Sequence, residues 1–242
     1  MGTKERRQRQ LAEREKLFLE TAQELIRESG LLSLQMSRIA EKCEYAVGTL
    51  YQHFASKEDL LLALTTMHTH EHLDLFQRVA QWKASSRERM FAYSVAEAIF
   101  VQRHPDHFRI AQYALCEVVW RAASPDRREE FLEMSMPVGE IVSGTVNEAI
   151  AAGDVQTHGM TPQELCTGFW ALSHGTHDLV HVEGMLEAFA VQDAYRLMCR
   201  HMHVMLNGLG WKPLVDPSDQ EATDRLIERI KNEVFHDLCC EN

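Results

Sequence analysis

The sequence lacks any apolar stretch that approaches the roughly 18 residues of a membrane-spanning helix. Its longest weakly charged stretches, such as residues 138–152, are interrupted by glutamate or glycine. The N-terminal segment is basic but no apolar run follows it, and this pattern does not predict a signal peptide. We therefore expect a cytoplasmic protein that has no membrane partner.

Zinc-type cysteine spacing and the common catalytic motifs are also missing. No HExxH motif, deaminase-like cysteine pair or nucleophile elbow occurs, so the sequence predicts neither an enzyme nor a cofactor, and we assign no metal site. We expect the cysteines to be reduced thiols that mostly serve in packing, and the adjacent pair near the end is a candidate for oxidation. The six are Cys43, Cys116, Cys166, Cys199, Cys239 and Cys240.

Strict alternation of apolar and polar residues is absent, whereas apolar residues recur every three or four positions, and this spacing predicts an all-α fold. Capping signals mark several helix starts, and the clearest is Thr161-Pro162-Gln163-Glu164, a capping box with proline at the first helical position. The expected helices are approximately Leu11–Ser29, two short helices within Gln35–Phe54, Lys57–Trp82, Arg87–Arg103, Asp106–Ala123, Asp126–Ala152, Pro162–Glu183, Glu187–Leu209 and Pro217–Leu238.

The net charge of −11 argues at first against a nucleic-acid partner, but the charge is unevenly distributed. Residues 1–60 carry ten basic and ten acidic side chains, so the remainder of the chain supplies the whole excess of negative charge. Within the first ten residues, four basic side chains face only Glu5. A neutral, locally basic N-terminal region followed by an acidic remainder is typical of a protein that contacts phosphates with one end only.

Residues 34–53 have the pattern of a helix-turn-helix. The first short helix carries an apolar face around Ile39, and residues 44–46 form a short turn. In the second helix, Leu50 and Phe54 lie four residues apart and point inward together. Two short helices joined in this way place the second helix in the major groove of DNA.

The same stretch resembles the DNA-binding domain of the TetR family of transcriptional regulators. The resemblance rests on Gly30, on Ile39-Ala40, and on the run Gly48-Thr49-Leu50-Tyr51-x-His53-Phe54-x-Ser56-Lys57-Glu58-x-Leu60 in fixed register. It covers residues 12–72 and implies an N-terminal three-helix bundle. Residues 1–11 would then be a basic N-terminal arm, and residues 73–242 a larger helical domain for effector binding and dimerisation.

The resemblance also implies which residues contact bases and phosphates. Several residues depart from the family's pattern. Glu44 replaces the glycine usual in the turn, Ala46 replaces a capping Ser, Thr or Pro, and Val47 replaces a polar residue. Leu34-Gln35 replace the Thr/Ser pair that usually opens the preceding helix. Gly48 is favourable because a residue without a side chain lets the second helix approach the DNA closely. The implied contact residues are Gln35, Met36, Tyr45, Ala46, Val47, Gly48, Thr49, Tyr51, Gln52, His53 and Lys57.

We accordingly predict a repressor that binds a palindromic double-stranded DNA operator as a homodimer and is released by a small, hydrophobic effector. Family resemblance places the dimer interface on the helices Pro162–Glu183 and Glu187–Leu209. Aromatic and methionine side chains at helical spacing are candidate walls of an apolar effector pocket, although such residues also form ordinary cores. The candidates are Phe91, Phe100, Phe108, Tyr113, Trp120, Met134, Phe169, Trp170 and His174.

Two alternatives remain open at this point. His174, His177 and His181 form one stripe of a helix, and His68 and His72 share a face of another, so a metal- or redox-responsive regulator of the same family is one alternative. The other is a helical enzyme or binding protein whose helix-turn-helix is incidental. Sensitivity to a chelator would identify the metal-responsive regulator. Retardation of an operator fragment in a gel would argue against the enzyme or binding protein.

Overall fold

The computed structural model describes residues 3–239, which form helices and contain no strand, so the predicted all-α fold is confirmed. Among these residues, no helix combines the length and the apolar character that a membrane crossing requires. The predicted Cys239–Cys240 pair lies outside the residues whose side chains are described. The helices are α1 (Thr3–Ser29), α2 (Met36–Lys42), α3 (Val47–Tyr51), α4 (Lys57–Thr66), α5 (Thr69–Gln81), α6 (Ser86–Arg103), α7 (Pro105–Ala114), α8 (Glu117–Ala122), α9 (Pro125–Ala152), α10 (Pro162–Val180), α11 (Met185–Ala188), α12 (Ala194–Gly208), α13 (Gln220–Val234) and α14 (His236–Cys239).

Contacts divide the chain into two compact units. The first comprises Met1–Thr69 and His104–Met134, and the second comprises His70–Arg103 and Ser135–Asn242. Helices α7 and α8 therefore pack in the same unit as the helix-turn-helix, although they lie far beyond residue 72 in the sequence. The functional boundary near residue 72 stays a prediction.

The first unit is built on the inner face of α1. Phe18 and Ala22 are fully buried there, and they share one core with Ile39 of α2 and Leu50 of α3. The α1 helix ends at Gly30, which takes a positive φ of 83° that residues with a side chain rarely adopt. The helix-turn-helix is thus held against a long helix by apolar packing, in the order that the sequence pattern predicts.

The predicted long helix from Lys57 to Trp82 is wrong, because the chain breaks it at Met67 and His68 into α4 and α5. The hydroxyl groups of Thr65, Thr66 and Thr69 donate hydrogen bonds of 2.7, 2.8 and 2.9 Å to main-chain carbonyls three residues earlier. Such local bonds compete with the regular helical pattern, and a cluster of them accounts for the interruption.

The core of the second unit contains large aromatic side chains from distant parts of the sequence, including Phe91, Phe169, Trp211 and Phe235. The capping box at the start of α10 is present as predicted, since Thr161 and Glu164 each accept a hydrogen bond from the other's main-chain amide. These long-range contacts place α6, α10, α12 and α13 around one interior.

Several other predicted helices are shorter or divided in the structure. Asp193 accepts from the amide of Arg196 at 2.9 Å and caps α12, and Asp219 caps α13 in the same way through Ala222. The predicted starts of these helices were therefore several residues too early, and the short helices α11 and α14 are separate elements. The predicted helix Asp106–Ala123 is likewise two helices, α7 and α8.

Candidate nucleic-acid interface

The turn between α2 and α3 is closed by main-chain hydrogen bonds. The amide of Cys43 donates to Ile39 at 3.0 Å, and the amide of Tyr45 donates to Ala40 at 2.9 Å. Glu44 lies at the apex with a φ of 59°, in the left-handed region. A glycine adopts this region at no steric cost, whereas glutamate does so at a cost of about 1–2 kcal/mol.

The recognition helix α3 has a buried side and an exposed side. Leu50 is fully buried. On the opposite side Tyr51 is 49% exposed, and Val47 and Gln52 are exposed beside it. A side chain added at Gly48 would meet no atom of the described protein within 4 Å. The fold therefore does not require a glycine at this position, and the free space lies on the surface that is available to a partner.

The turn itself presents an aromatic ring to the same surface. Tyr45 is partly exposed, and its ring contacts Phe18 edge-on with the centroids 5.4 Å apart. The guanidinium carbon of Arg14 lies 5.1 Å from the centre of the Tyr45 ring. Arg14 thus adds a positive charge next to the turn, and the sequence pattern did not single this residue out because the contact is made from α1.

Lys57 begins α4 directly after the helix-turn-helix and is half-buried. The helix start is fixed by Ser56, whose hydroxyl accepts from the amide of Asp59 at 3.1 Å. The buried carboxylate of Asp59 accepts in turn from the amides of Ala55 at 3.2 Å and Ser124 at 2.7 Å. The position of Lys57 is consequently held by two capping side chains, although a positive charge at the N-terminal end of a helix is unfavourable to the helix dipole.

In the structure, two of the predicted contact residues are buried and the others are exposed or partly exposed. Met36 is buried in the core of the unit, and the side chain of His53 is only 3% exposed. The His53 ring packs edge-on against Phe18, and its Nδ1 atom lies 3.5 Å from a carboxylate oxygen of Glu15. The exposed or partly exposed positions are Gln35, Tyr45, Ala46, Val47, Gly48, Thr49, Tyr51, Gln52 and Lys57.

The basic side chains near this surface include a paired lysine on α2, several residues of α1, Arg38 of α2 and Lys57 of α4. Lys42 contacts the carboxylates of Glu28 at 2.9 Å and Glu24 at 3.2 Å, and its hydrogen bond with Glu28 raises the pKa of Lys42. The predicted N-terminal arm is helical from Thr3 onward, so its exposed basic residues extend α1 instead of forming a separate segment. These residues are Lys4, Arg6, Arg7 and Arg9.

The candidate effector-pocket residues divide between the two units. In the second unit, Phe91, Phe100 and Phe169 are buried in the core, whereas Trp170 is 65% exposed beside His174. The other four belong to the first unit, where they range from buried to exposed: Phe108, Tyr113, Trp120 and Met134. Whether any of these residues contacts an effector stays a prediction.

The histidine stripes make hydrogen bonds and ring contacts in each unit. In the second unit His72 lies 2.6 Å from Glu97, His177 is 3.2 Å from the hydroxyl of Tyr195, and His181 is 2.7 Å from a main-chain carbonyl. Burial lowers the pKa of His177. In the first unit His68 stacks on His104 with centroids 4.1 Å apart. The two predicted stripes thus have structural partners in the protein itself.

Comparison with known proteins associates this surface with DNA-binding regulators. A family model described as "Bacterial regulatory proteins, tetR family" matches residues 18–64, which include the whole helix-turn-helix. The "Fatty acid metabolism regulator protein" of Bacillus subtilis (strain 168) is 25% identical over 144 residues, or 57% of this chain and 69% of that protein.

Two solved structures share the fold along most of the chain. A regulatory protein in the tetR family from Rhodococcus RHA1 is 17% identical, with a TM-score of 0.59 over 84% of this chain and 98% of the other. The transcriptional regulator FadR from Bacillus subtilis, in complex with stearoyl-CoA, is 19% identical, with a TM-score of 0.59 over 80% of this chain and 98% of the other. The likeness therefore extends well beyond the helix-turn-helix into the second unit.

Proposed function

We propose that the chain is a regulator of the TetR family, whose family model matches residues 18–64, and that it is a transcriptional repressor that a small molecule releases from its operator. The exposed outer face of α3 carries this proposal, because it combines polar and aromatic side chains with free space at Gly48. An α-helix fits the width of the major groove, and the absence of a side chain at one point allows closer approach to the DNA.

We assign direct contact to the exposed residues and support to the buried ones. Thr49 on α3 and Gln52 directly after it have the hydrogen-bonding groups that read base edges, and Tyr51 and Lys57 donate to phosphates. Met36 and His53 hold the two helices against α1 instead of reaching the DNA. Substitution of Met36 or His53 should therefore lower the stability of the fold, and should weaken operator binding only as a consequence of that lower stability.

The operator is expected to be palindromic because the protein would bind as a homodimer. One short recognition helix reads only a few base pairs, and two copies related by a two-fold axis read a symmetric site. The interface is proposed on α10 and α12. Large apolar side chains exposed on these helices, Trp170, Leu179 and Val204, support a second copy of the chain as the occupant.

The effector is proposed to carry a long acyl chain. One relative is named as a regulator of fatty acid metabolism, and one protein of the same fold was solved with stearoyl-CoA. Phe91, Phe100 and Phe169 give the second unit an interior of aromatic side chains, which suits an apolar chain. By linkage, such a ligand weakens DNA binding by as much as it prefers the DNA-incompetent form, typically by about 5–150-fold.

The test begins with the selection of preferred duplexes from a random pool by the full chain. Fluorescence anisotropy on the selected operator should show that Lys57→Ala lowers affinity for every sequence by a similar factor and flattens the salt dependence by roughly one unit of slope. Gln52→Ala should instead change which operators are preferred. Unchanged operator affinity in Lys57→Ala would contradict the assigned surface.

The effector is tested on the same operator. Stearoyl-CoA should release the protein from DNA, whereas free coenzyme A and a detergent of equal chain length should not. If stearoyl-CoA binds the protein and leaves operator affinity unchanged, the acyl effector is rejected while the DNA-binding role stands. If no duplex is enriched in the selection, the proposed DNA-binding function itself is rejected.

A further inference from the structure

Arg87, in the first turn of α6, is a buried cation whose hydrogen-bond acceptors are all neutral. Its side chain is only 2% exposed. Its guanidinium donates to the main-chain oxygen of Trp211 at 2.6 Å, to the side-chain oxygen of Asn207 at 2.8 Å and to the main-chain oxygen of His203 at 3.5 Å. Within residues 3–239, no carboxylate forms an ion pair with it.

Burial lowers the pKa of Arg87 to about 10, so this side chain still carries its charge at neutral pH. The removal of a charge from water costs free energy that neutral acceptors offset only in part, and an opposite charge nearby offsets more. The site therefore favours an anion close to Arg87.

A cleft of about 300 Å³ lies against Arg87, in the second unit. Arg225 and Arg229 of α13 line the same cleft, together with a single acidic side chain, Glu88. Glu88 contacts Arg229 at 2.5 Å, and that carboxylate is therefore already occupied. Arg225 lies 3.5 Å from Glu221, which is outside the lining, so Arg87 supplies the positive charge in the cleft that no carboxylate of the described residues offsets.

The remainder of the lining is largely apolar. Phe91, Val215, Ala222 and Leu226 contribute to it, and the ring of His203 stacks on Phe91 with the centroids 4.5 Å apart and the planes within 6°. The Nδ1 atom of His203 is buried and has no hydrogen-bond partner in the described protein. Burial lowers the pKa of His203 to about 4, so its ring is neutral at physiological pH and belongs with the apolar wall.

We propose that this cleft binds a small organic carboxylate whose body is apolar. The carboxylate would lie beside Arg87 and Arg225, and the apolar body would pack on Leu226 and Val215. The positive lining excludes cations, and the apolar wall disfavours an inorganic anion such as phosphate, which would lose its hydration without apolar contacts in return. The cleft lies at the low end of the size range of small-molecule sites.

This site goes beyond the proposed acyl effector. Phe91 is the one residue that the cleft shares with the predicted effector walls. Helices α6 and α13 each supply two of the four charged lining residues, so a bound carboxylate would connect α13 to α6 and α12 and should stabilise the second unit. Binding is measured without DNA, and the result is independent of whether the chain represses transcription.

The test uses the full chain, sodium phenylacetate as the anionic probe and phenylacetamide as its neutral isostere. Isothermal titration calorimetry should show phenylacetate binding at least about tenfold more tightly than phenylacetamide, because a hydrogen bond to a charged group contributes about a factor of ten or more in affinity. Thermal unfolding should show a rise in Tm with phenylacetate alone. Equal affinity for the two probes, or no binding of phenylacetate, would overturn the proposal.

Variants locate the bound probe. Ala222→Phe fills the cleft and Arg225→Gln removes a charge, and both should weaken phenylacetate binding about tenfold or more. Arg109→Gln is the matched control, since Arg109 is an exposed arginine that lies near an acid on its own helix, as Arg225 does. If Arg225→Gln, checked for its native Tm, binds as tightly as the parent, or if Ala222→Phe does, the carboxylate site is elsewhere and the proposal fails.

Discussion

Arg127, in the first turn of α9, donates a hydrogen bond of 3.0 Å to the main-chain carbonyl of His53, immediately after the recognition helix ends. The same guanidinium lies 2.9 Å from the carboxylate of Glu15 on α1, and its carbon lies 5.2 Å from the centre of the Phe54 ring. The side chain of Arg127 is largely buried. One arginine therefore connects the end of α3 to α1 and to α9.

We expect Arg127→Ala to weaken operator binding although Arg127 itself is assigned no DNA contact. Loss of charge-assisted hydrogen bonds from a largely buried site should lower the free energy of unfolding by about 2–3 kcal/mol. Urea denaturation and operator anisotropy measure the two effects. Arg121→Ala is the control, because Arg121 is exposed and pairs with the similarly exposed Glu117 one turn away. A stable Arg127→Ala variant with parental operator affinity would show that Arg127 does not support the position of the recognition helix.

Gly48→Ala should separate folding from DNA binding. The added methyl group meets no protein atom, and alanine in a helix is favoured over glycine by about 0.5–1 kcal/mol, so stability should be unchanged or higher. Operator affinity should fall at least about tenfold because the methyl group occupies the space of closest approach. Gly139→Ala in α9 has equal free space, so it should show the same unchanged or higher stability while leaving operator affinity unchanged. Parental affinity in Gly48→Ala would show that the DNA does not approach here.

Glu44→Gly should increase stability, because glycine relieves the left-handed conformation at φ 59°. The gain is expected to be about 1 kcal/mol, since the greater freedom of glycine in the unfolded chain offsets part of the relief. Glu44→Gln retains the strain and removes only the charge. Operator affinity should increase in both variants because the carboxylate repels phosphates, whereas the gain in unfolding free energy should appear in Glu44→Gly alone.

Trp170→Glu should produce monomers, if α10 and α12 form the interface between two copies. Trp170 is exposed within one chain, so the charge should not disturb the core, whereas glutamate at the buried Phe169 would destabilise the fold itself. Sedimentation velocity and circular dichroism report assembly and folding separately. Val118→Glu, at another exposed apolar residue, is the control and should remain dimeric. A dimeric Trp170→Glu variant would place the interface elsewhere.

His203 should make the protein less stable in mild acid. Burial lowers its pKa to about 4, and the unfolded chain therefore binds a proton between about pH 6.5 and 4 that the folded chain does not bind. The contribution of His203 to the free energy of unfolding should be fully present above about pH 6.5. It should decrease as the pH falls, with a loss of roughly 2 kcal/mol at about pH 5. His203→Phe retains an aromatic ring against Phe91 and should flatten this dependence in urea denaturation, whereas His201→Phe, at an exposed position on the same helix, should not.

The helix-turn-helix could be predicted from the sequence because its signals are local. The apolar spacing around Ile39 and Leu50, and the short turn between them, are contained within about twenty residues. The sequence also indicated Glu44 as unusual, and the structure explains this by its left-handed φ. Helix starts marked by a complete capping box, as at Thr161, were predicted accurately for the same reason.

Features that depend on distant contacts could not be predicted. The burial of Met36 and His53 depends on the packing of α1, and the roles of Arg14 and Arg127 arise from chain segments remote from the helix-turn-helix. The break at Met67 was missed because an apolar spacing reports which face is buried and does not report where hydroxyl groups bind main-chain carbonyls. Arg87 was likewise not singled out, since its neutral acceptors lie more than a hundred residues away in the sequence.

Residues 44 and 48 should respond in opposite ways to laboratory evolution. In a library screened for folded protein alone, glycine should accumulate at position 44, because it relieves the left-handed backbone there. Glycine should disappear from position 48, because other residues stabilise the helix more. In a library screened for repression, glycine should be retained at position 48 whatever its cost to the helix. A comparison of the two populations would therefore report, residue by residue, which parts of the turn and of α3 are shaped by DNA and which by folding.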